Sequence, residues 1–137
     1  MRILLVEEAQ WASDEELRNL LKNSPQIDIV SCGFERVAET LGTWDIDCIV
    51  IDACRGPNRQ VSTESDARNI RKIFKGPMIA ISNGVLSLRL LKEICQYGCV
   101  KGQLPTIILG LISKKGGNHE LNKSYFHQRI TTDIVGL

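Results

Sequence analysis

Apolar and polar positions along this chain fall into blocks of two lengths. Residues 3–6, Ile3-Leu4-Leu5-Val6, are a short and wholly apolar run, the pattern of a strand buried on both faces. Ser13-Asp14-Glu15-Glu16 follows as a capping box, Ser13 with Glu16, with acids where a helix dipole favours them. Leu17, Leu20 and Leu21 make the inner stripe of that helix, which stops near Ser24-Pro25. Residues 27–32 predict a second strand, and 34–41 a helix with Val37, Ala38 and Leu41 inward, closed by Gly42. The third strand, 47–52, is apolar except at its ends, Asp47 and Asp52.

Arg55-Gly56-Pro57-Asn58 is turn chemistry, and the polar stretch 59–65 extends it into a loop long for an α/β connection. A helix beginning near Ser62 or Thr63 is expected to bury Ala67, Ile70, Ile73 and Phe74. Residues 77–82 predict the fourth strand, and 86–97 a leucine-rich helix ended by Gly98. Leu86, Leu90 and Ile94 lie at helical spacing and are expected in the core, with Leu88 and Leu91 left outside. Residues 99–104 predict a short, Gly-interrupted fifth strand; Pro105 leads out of it to a last helix, 107–113, stopped by Gly116-Gly117.

This alternation predicts an α/β fold: a (βα)5 flavodoxin-like three-layer sandwich with a five-stranded parallel sheet and right-handed crossovers. The domain is expected to occupy residues 1–117. Beyond it, 118–137 is polar and mixed, read as a linker or the start of a C-terminal output module.

Composition adds exclusions. With 43% apolar residues the chain can build a core without disulfides. Seventeen basic and 16 acidic residues give a net charge of +1, so nothing forms the basic stripe of a nucleic-acid binder. Five cysteines, with no CxxC pair and no matching His cluster, argue against zinc and point to a reducing, cytoplasmic setting. No apolar run approaches the ~20 residues of a membrane helix.

The chemistry gathers at strand ends. Glu7 and Glu8 end the first apolar run and Asp52 ends the third. In an open parallel sheet these ends share the edge where ligands bind. Carboxylates brought together there repel one another unless a cation compensates, and Mg²⁺ is the expected hard ion. Arg55 is placed to offer a guanidinium to the same edge.

The order of elements, with acids after the first strand and Asp52 ending the third, resembles the receiver domain of two-component response regulators. The likeness covers residues 2–115, and the intervals from Glu8 to Asp52 and from Asp52 to Ser82 fit the family pattern. It implies that Asp52 is the phospho-acceptor, attacking a phosphohistidine of a partner histidine kinase, and that Ser82 is the switch hydroxyl. It also implies Mg²⁺ bound by Glu8, Asp52 and the Cys54 backbone carbonyl, with Glu7 holding the ion through water. Such a domain is not an enzyme in its own right.

Departures from the pattern qualify this. By the family's spacing from Ser82, Leu104 stands where a phosphate-contacting lysine belongs, and Lys101 falls at the aromatic switch position. Lys101 can reach the phosphate only if its strand is bulged at Gly102. Pro57 lies one residue later than the family's proline, and Asn83 replaces a small residue. Two states therefore stay open: a phosphorylated receiver, or a phosphorylation-independent pseudo-receiver acting through protein contact. Helical segments 86–97 and 105–115 are the expected homodimer surface. A flavodoxin-like small-ligand binder is a remoter alternative, because Glu7-Glu8-Ala9-Gln10 has no glycine to cradle a phosphate.

Overall fold

The computed structural model describes residues 1–8, 19, 22, 26–56 and 60–113. The capping box at Ser13, the leucines of the stripe after it, Pro57 and residues 118–137 lie outside the described residues. Five strands form one sheet: β1 (Arg2–Val6), β2 (Asp28–Cys32), β3 (Cys48–Asp52), β4 (Met78–Ile81) and β5 (Tyr97–Cys99). Their order is β2-β1-β3-β4-β5, and every pairing is parallel. The fold is α/β and flavodoxin-like, as the alternation predicted.

β1, β3 and β4 explain the sheet's stability. Ile3 to Val6, all of β3's apolar residues and all of β4 are buried, and each Val, Leu, Ile or Met side chain among them contributes about 1.5–3 kcal/mol on leaving water. The order reverses between β1 and β3, so their C-terminal ends flank the sheet's switch point. That crevice is where this architecture binds ligands.

The α-helices that lie wholly among the described residues are α1 (Val37–Thr43), α2 (Glu64–Ile73), α3 (Val85–Arg89) and α4 (Leu104–Ser113). Several differ from expectation. The helix predicted over 34–41 begins as a 3-10 turn, Phe34–Arg36, and continues through Gly42. Val37 is buried, whereas Ala38 faces solvent. In α2, Ala67 and Ile70 pack inward, but Ile73 is 56% exposed. Phe74, one residue later, leaves the helix and takes the inner place.

The largest correction concerns 85–104. α3 is five residues long, not twelve, and gives way to turns before β5. Starting one residue earlier than predicted, it turns Val85, Leu88 and Leu91 inward. Leu88 and Leu91 are fully buried, while Leu86 and Leu90 are 75% and 50% exposed, the reverse of the expectation. Ile94 is buried as expected. Gly98 does not end a helix but pairs with Ala80 inside the sheet.

β5 ends at Cys99. Lys101–Gln103 is a 3-10 turn and Leu104 opens α4, with Pro105 in the helix's first turn, where its missing N–H costs nothing. The fifth strand expected over 99–104 is therefore set two residues earlier and ends where it was expected to begin. Leu104 is buried in the core rather than set at the sheet edge.

Candidate functional site

β3 delivers Asp52 to the C-terminal edge with its side chain almost wholly enclosed, at 3% exposure. Beyond it the chain bends through Ala53, whose N–H still bonds the Ile81 carbonyl at 2.8 Å. This keeps the start of the loop against β4. The Cys54 N–H donates to Asp52 Oδ1 at 3.3 Å. The hydroxyl of Thr63, itself fully buried, donates to the Asp52 carbonyl at 2.7 Å. Thr63 precedes α2 but does not cap it; its hydroxyl ties the helix start to the end of β3. Its position just before the acidic first turn of α2 was the only trace of this role in the chain.

Cys54–Arg55 pairs antiparallel with Val61–Ser62, so the long polar loop is a small ribbon at its base. Gly56 has φ of 85°, a conformation that glycine adopts readily. A side chain there would also crowd Val61 Cγ2 at 3.1 Å.

The sequence-predicted residues divide into two groups. Asp52 and Lys101 come together, and Ser82 follows Ile81, the β4 residue in register with Asp52. Ser82 is 6% exposed at the end of β4, where its N–H bonds the Cys99 carbonyl at 3.2 Å and its Oγ accepts the Gly84 N–H at 3.0 Å. Lys101 Nζ lies 3.7 Å from Asp52 Oδ2, with side-chain exposures of 13% and 4%. Expected at the aromatic switch position, Lys101 is instead the cation on Asp52. No bulge at Gly102 is needed, because Lys101 stands in a 3-10 turn after β5. Leu104 makes no approach to the edge, being 3% exposed within the core.

Glu7 and Glu8 part company. Glu7 is buried at 3% exposure, its N–H bonded to the Cys32 carbonyl at 3.1 Å. Glu8 is nearly half exposed and is engaged by the loop after β3. Gly56 N–H donates to Glu8 Oε2 at 2.7 Å, and Arg55 Nε lies 3.5 Å from Glu8 Oε1. Between the two acids and Ser31, Cys32 and Gly33 lies a cleft of about 110 Å³. Burial pushes the Cys32 thiol pKa up, against a hydrogen bond to Thr40 that lowers it.

Mg²⁺ prefers near-octahedral oxygen ligands at short, regular distances. The donors expected for it, Glu7, Glu8, Asp52 and the Cys54 carbonyl, are of the right chemical class. Among the described residues, however, no three metal-ligating side chains converge. Both oxygens of Glu8 are held by Arg55 and Gly56. In this arrangement the residues do not fit a divalent ion.

No protein-family model matches the chain. No curated protein matches it either. Solved structures do. A receiver domain (CheY-like) from Methylobacillus flagellatus is similar at 18% identity and TM-score 0.64, over 81% of this chain and 98% of that one. The non-phosphorylated receiver domain of the stress response regulator RcsB from Escherichia coli gives 13% identity and TM-score 0.67, over 86% and 95%. RcsB response regulator from Salmonella typhimurium, studied for DNA interaction, gives 13% and 0.66, over 86% of this chain. The present chain spans only 61% of that regulator. The fold is that of response-regulator receiver domains. No helix among the described residues is long and apolar enough to cross a membrane.

Proposed function

We propose that this chain is a receiver-like signalling domain of a two-component response regulator, with Asp52 the phospho-acceptor and Lys101 and Ser82 its polar neighbours. The observation that carries the reading is the Lys101 ammonium 3.7 Å from the Asp52 carboxylate, on a fold whose members are typically signalling modules rather than enzymes. A partner histidine kinase presents a phosphohistidine. An Asp52 oxygen attacks phosphorus, the P–N bond breaks, and its electron pair stays on the imidazole nitrogen, which takes a proton.

The product adds negative charge and acceptor oxygens at a buried position. Lys101 neutralises part of that charge where it forms, the kind of positioning on which phosphoryl transfer chiefly depends. Ser82 Oγ, now accepting from Gly84 N–H, turns its own hydroxyl proton to the new oxygens and frees the loop before α3. That local change is the signal. Leu86 and Leu90 on and after α3, and Leu109 on α4, are exposed and suit contact with a second copy or an effector. Residues 118–137 serve as a linker or the start of an output module.

A second reading has its own support. Arg55 and Gly56 hold Glu8 away from ion binding, which favours a pseudo-receiver acting by protein contact alone.

Incubation of the full chain with acetyl phosphate, followed by intact mass measurement, separates the two. A phosphoryl increment absent from Asp52→Asn, and reduced roughly tenfold in Lys101→Ala, is expected. An increment that survives in Asp52→Asn overturns the assignment of the acceptor. No increment under any condition overturns phosphorylation and leaves the pseudo-receiver.

A further inference from the structure

The loop after β3 holds a guanidinium between two carboxylates, a feature that phosphoryl transfer at Asp52 does not use. Arg55 Nη1 is 3.1 Å from Asp66 Oδ1 on α2, and its Nε is 3.5 Å from Glu8 Oε1 after β1. Its guanidinium carbon lies 4.7 Å from the centroid of the Phe34 ring. Phe34 is buried, so the ring is a fixed platform for the guanidinium plane. Three elements that meet nowhere else in sequence are thus joined through one side chain.

The geometry favours a cation that stays. A guanidinium is always charged, less strongly hydrated than an ammonium, and forked, so it can bridge two acids where a lysine could serve one. The remaining Glu8 oxygen is taken by the Gly56 N–H at 2.7 Å. A divalent ion approaching this edge would have to strip both a guanidinium and an amide from Glu8. On the other side, Asp52 already faces Lys101.

We propose that Arg55 is a resident cation that closes the acidic edge to divalent ions, so that Mg²⁺ binds well only when Arg55 lets go of Glu8 and Asp66. Arg55 also belongs to the two-residue ladder with Val61–Ser62. Releasing it therefore loosens the loop between β3 and α2, which couples ion entry to the shape of that loop. Ion access in this form does not require that Asp52 ever be phosphorylated.

Direct Mg²⁺ titration by calorimetry, with Mn²⁺ broadening of amide resonances to locate the ion, tests this on the full chain. Arg55→Gln is expected to bind Mg²⁺ roughly tenfold more tightly than the wild type. Arg55→Lys, whose ammonium can serve only one of the two acids, is expected to gain less. Adding Glu8→Gln to Arg55→Gln should abolish the gain. Equal affinity in the wild type and Arg55→Gln overturns the proposal, as does a gain that survives Glu8→Gln. Should Arg55→Gln fail to fold, Arg55→Lys is decisive: no gain over the wild type overturns the proposal.

Discussion

Two arginines stand at opposite ends of the sheet and are used in opposite ways. Arg71, from α2, reaches the N-terminal end, where it donates to the carbonyls of Ile94, Phe74 and Gly76 and to the Gln96 side chain at 2.7–3.2 Å. Gln96 in turn accepts the Met78 N–H at 2.9 Å, at the start of β4. All of Arg71's partners are neutral dipoles, and burial holds its pKa below the usual value. A cleft of about 410 Å³ lies beside it, lined with Lys75, Lys92 and residues 93–96, and shares none of the acids around Asp52. Arg55, at the C-terminal end, meets carboxylates. Neutral partners in a confined place make a structural clasp. Charged partners at a half-open edge make an adjustable one. The N-terminal end should therefore govern stability, and the C-terminal end ion response.

Alkali should bring the largest effect, and it falls on the N-terminal end. Burial pushes the Cys48 and Cys95 thiols up to about 12, Cys48 further raised by Cys95 and Asp47, Cys95 partly relieved by Arg71. Tyr97 is likewise pushed up to about 12, by burial and then by Cys48. A thiol held neutral in the fold stabilises it fully below the unfolded value near 9.0. That contribution is lost as pH rises from there towards 12. Each pH unit in this window removes roughly 1.4 kcal/mol per thiol. Urea midpoints measured from pH 8 upward should fall steeply, and Cys48→Ala with Cys95→Ala should flatten the slope. A flat profile in the wild type would break the contrast between the two ends.

Next in size is the clasp itself. Arg71→Met strips the donors from three carbonyls and from Gln96, and should cost about 2–4 kcal/mol in urea unfolding with an unchanged denaturant slope. A loss no larger than that from removing Arg55 would show that the two arginines are not different in kind.

The same contrast marks what could be read from the chain. Strands were legible because a strand buried on both faces is written as an uninterrupted apolar run, and Asp52 at the end of such a run needed only the sheet's direction to place it. Arg55 could be assigned to the acidic edge from its position three residues past Asp52, the end of β3. Its second partner, Asp66, could not, because that pairing depends on how α2 returns over a loop. The segment 85–104 is ambiguous for a different reason. Leucines at 86, 88, 90 and 91 satisfy two helical faces at once, and only packing against the sheet decides between them. A helix continued to 97 pushes the fifth strand past its true place, and Lys101 then falls on a strand instead of in the turn that carries it to Asp52.

The smallest stability effect should come from Arg55, and its smallness is the point. The ion pair with Glu8 is 3.5 Å long and its side chains are 31% and 45% exposed; that with Asp66 is shorter but similarly exposed. Pairs of this kind contribute at most about 1 kcal/mol, and less as salt screens them. Arg55→Gln should accordingly shift the urea midpoint by well under what Arg71→Met does, and raising salt should shrink the difference from the wild type further. The stacking on Phe34 is a contact that salt does not screen in the same way, so a residual cost that persists at high salt measures it. A large, salt-independent loss would make Arg55 a second structural clasp, and the C-terminal end would then be rigid where an ion-responsive edge must be able to open.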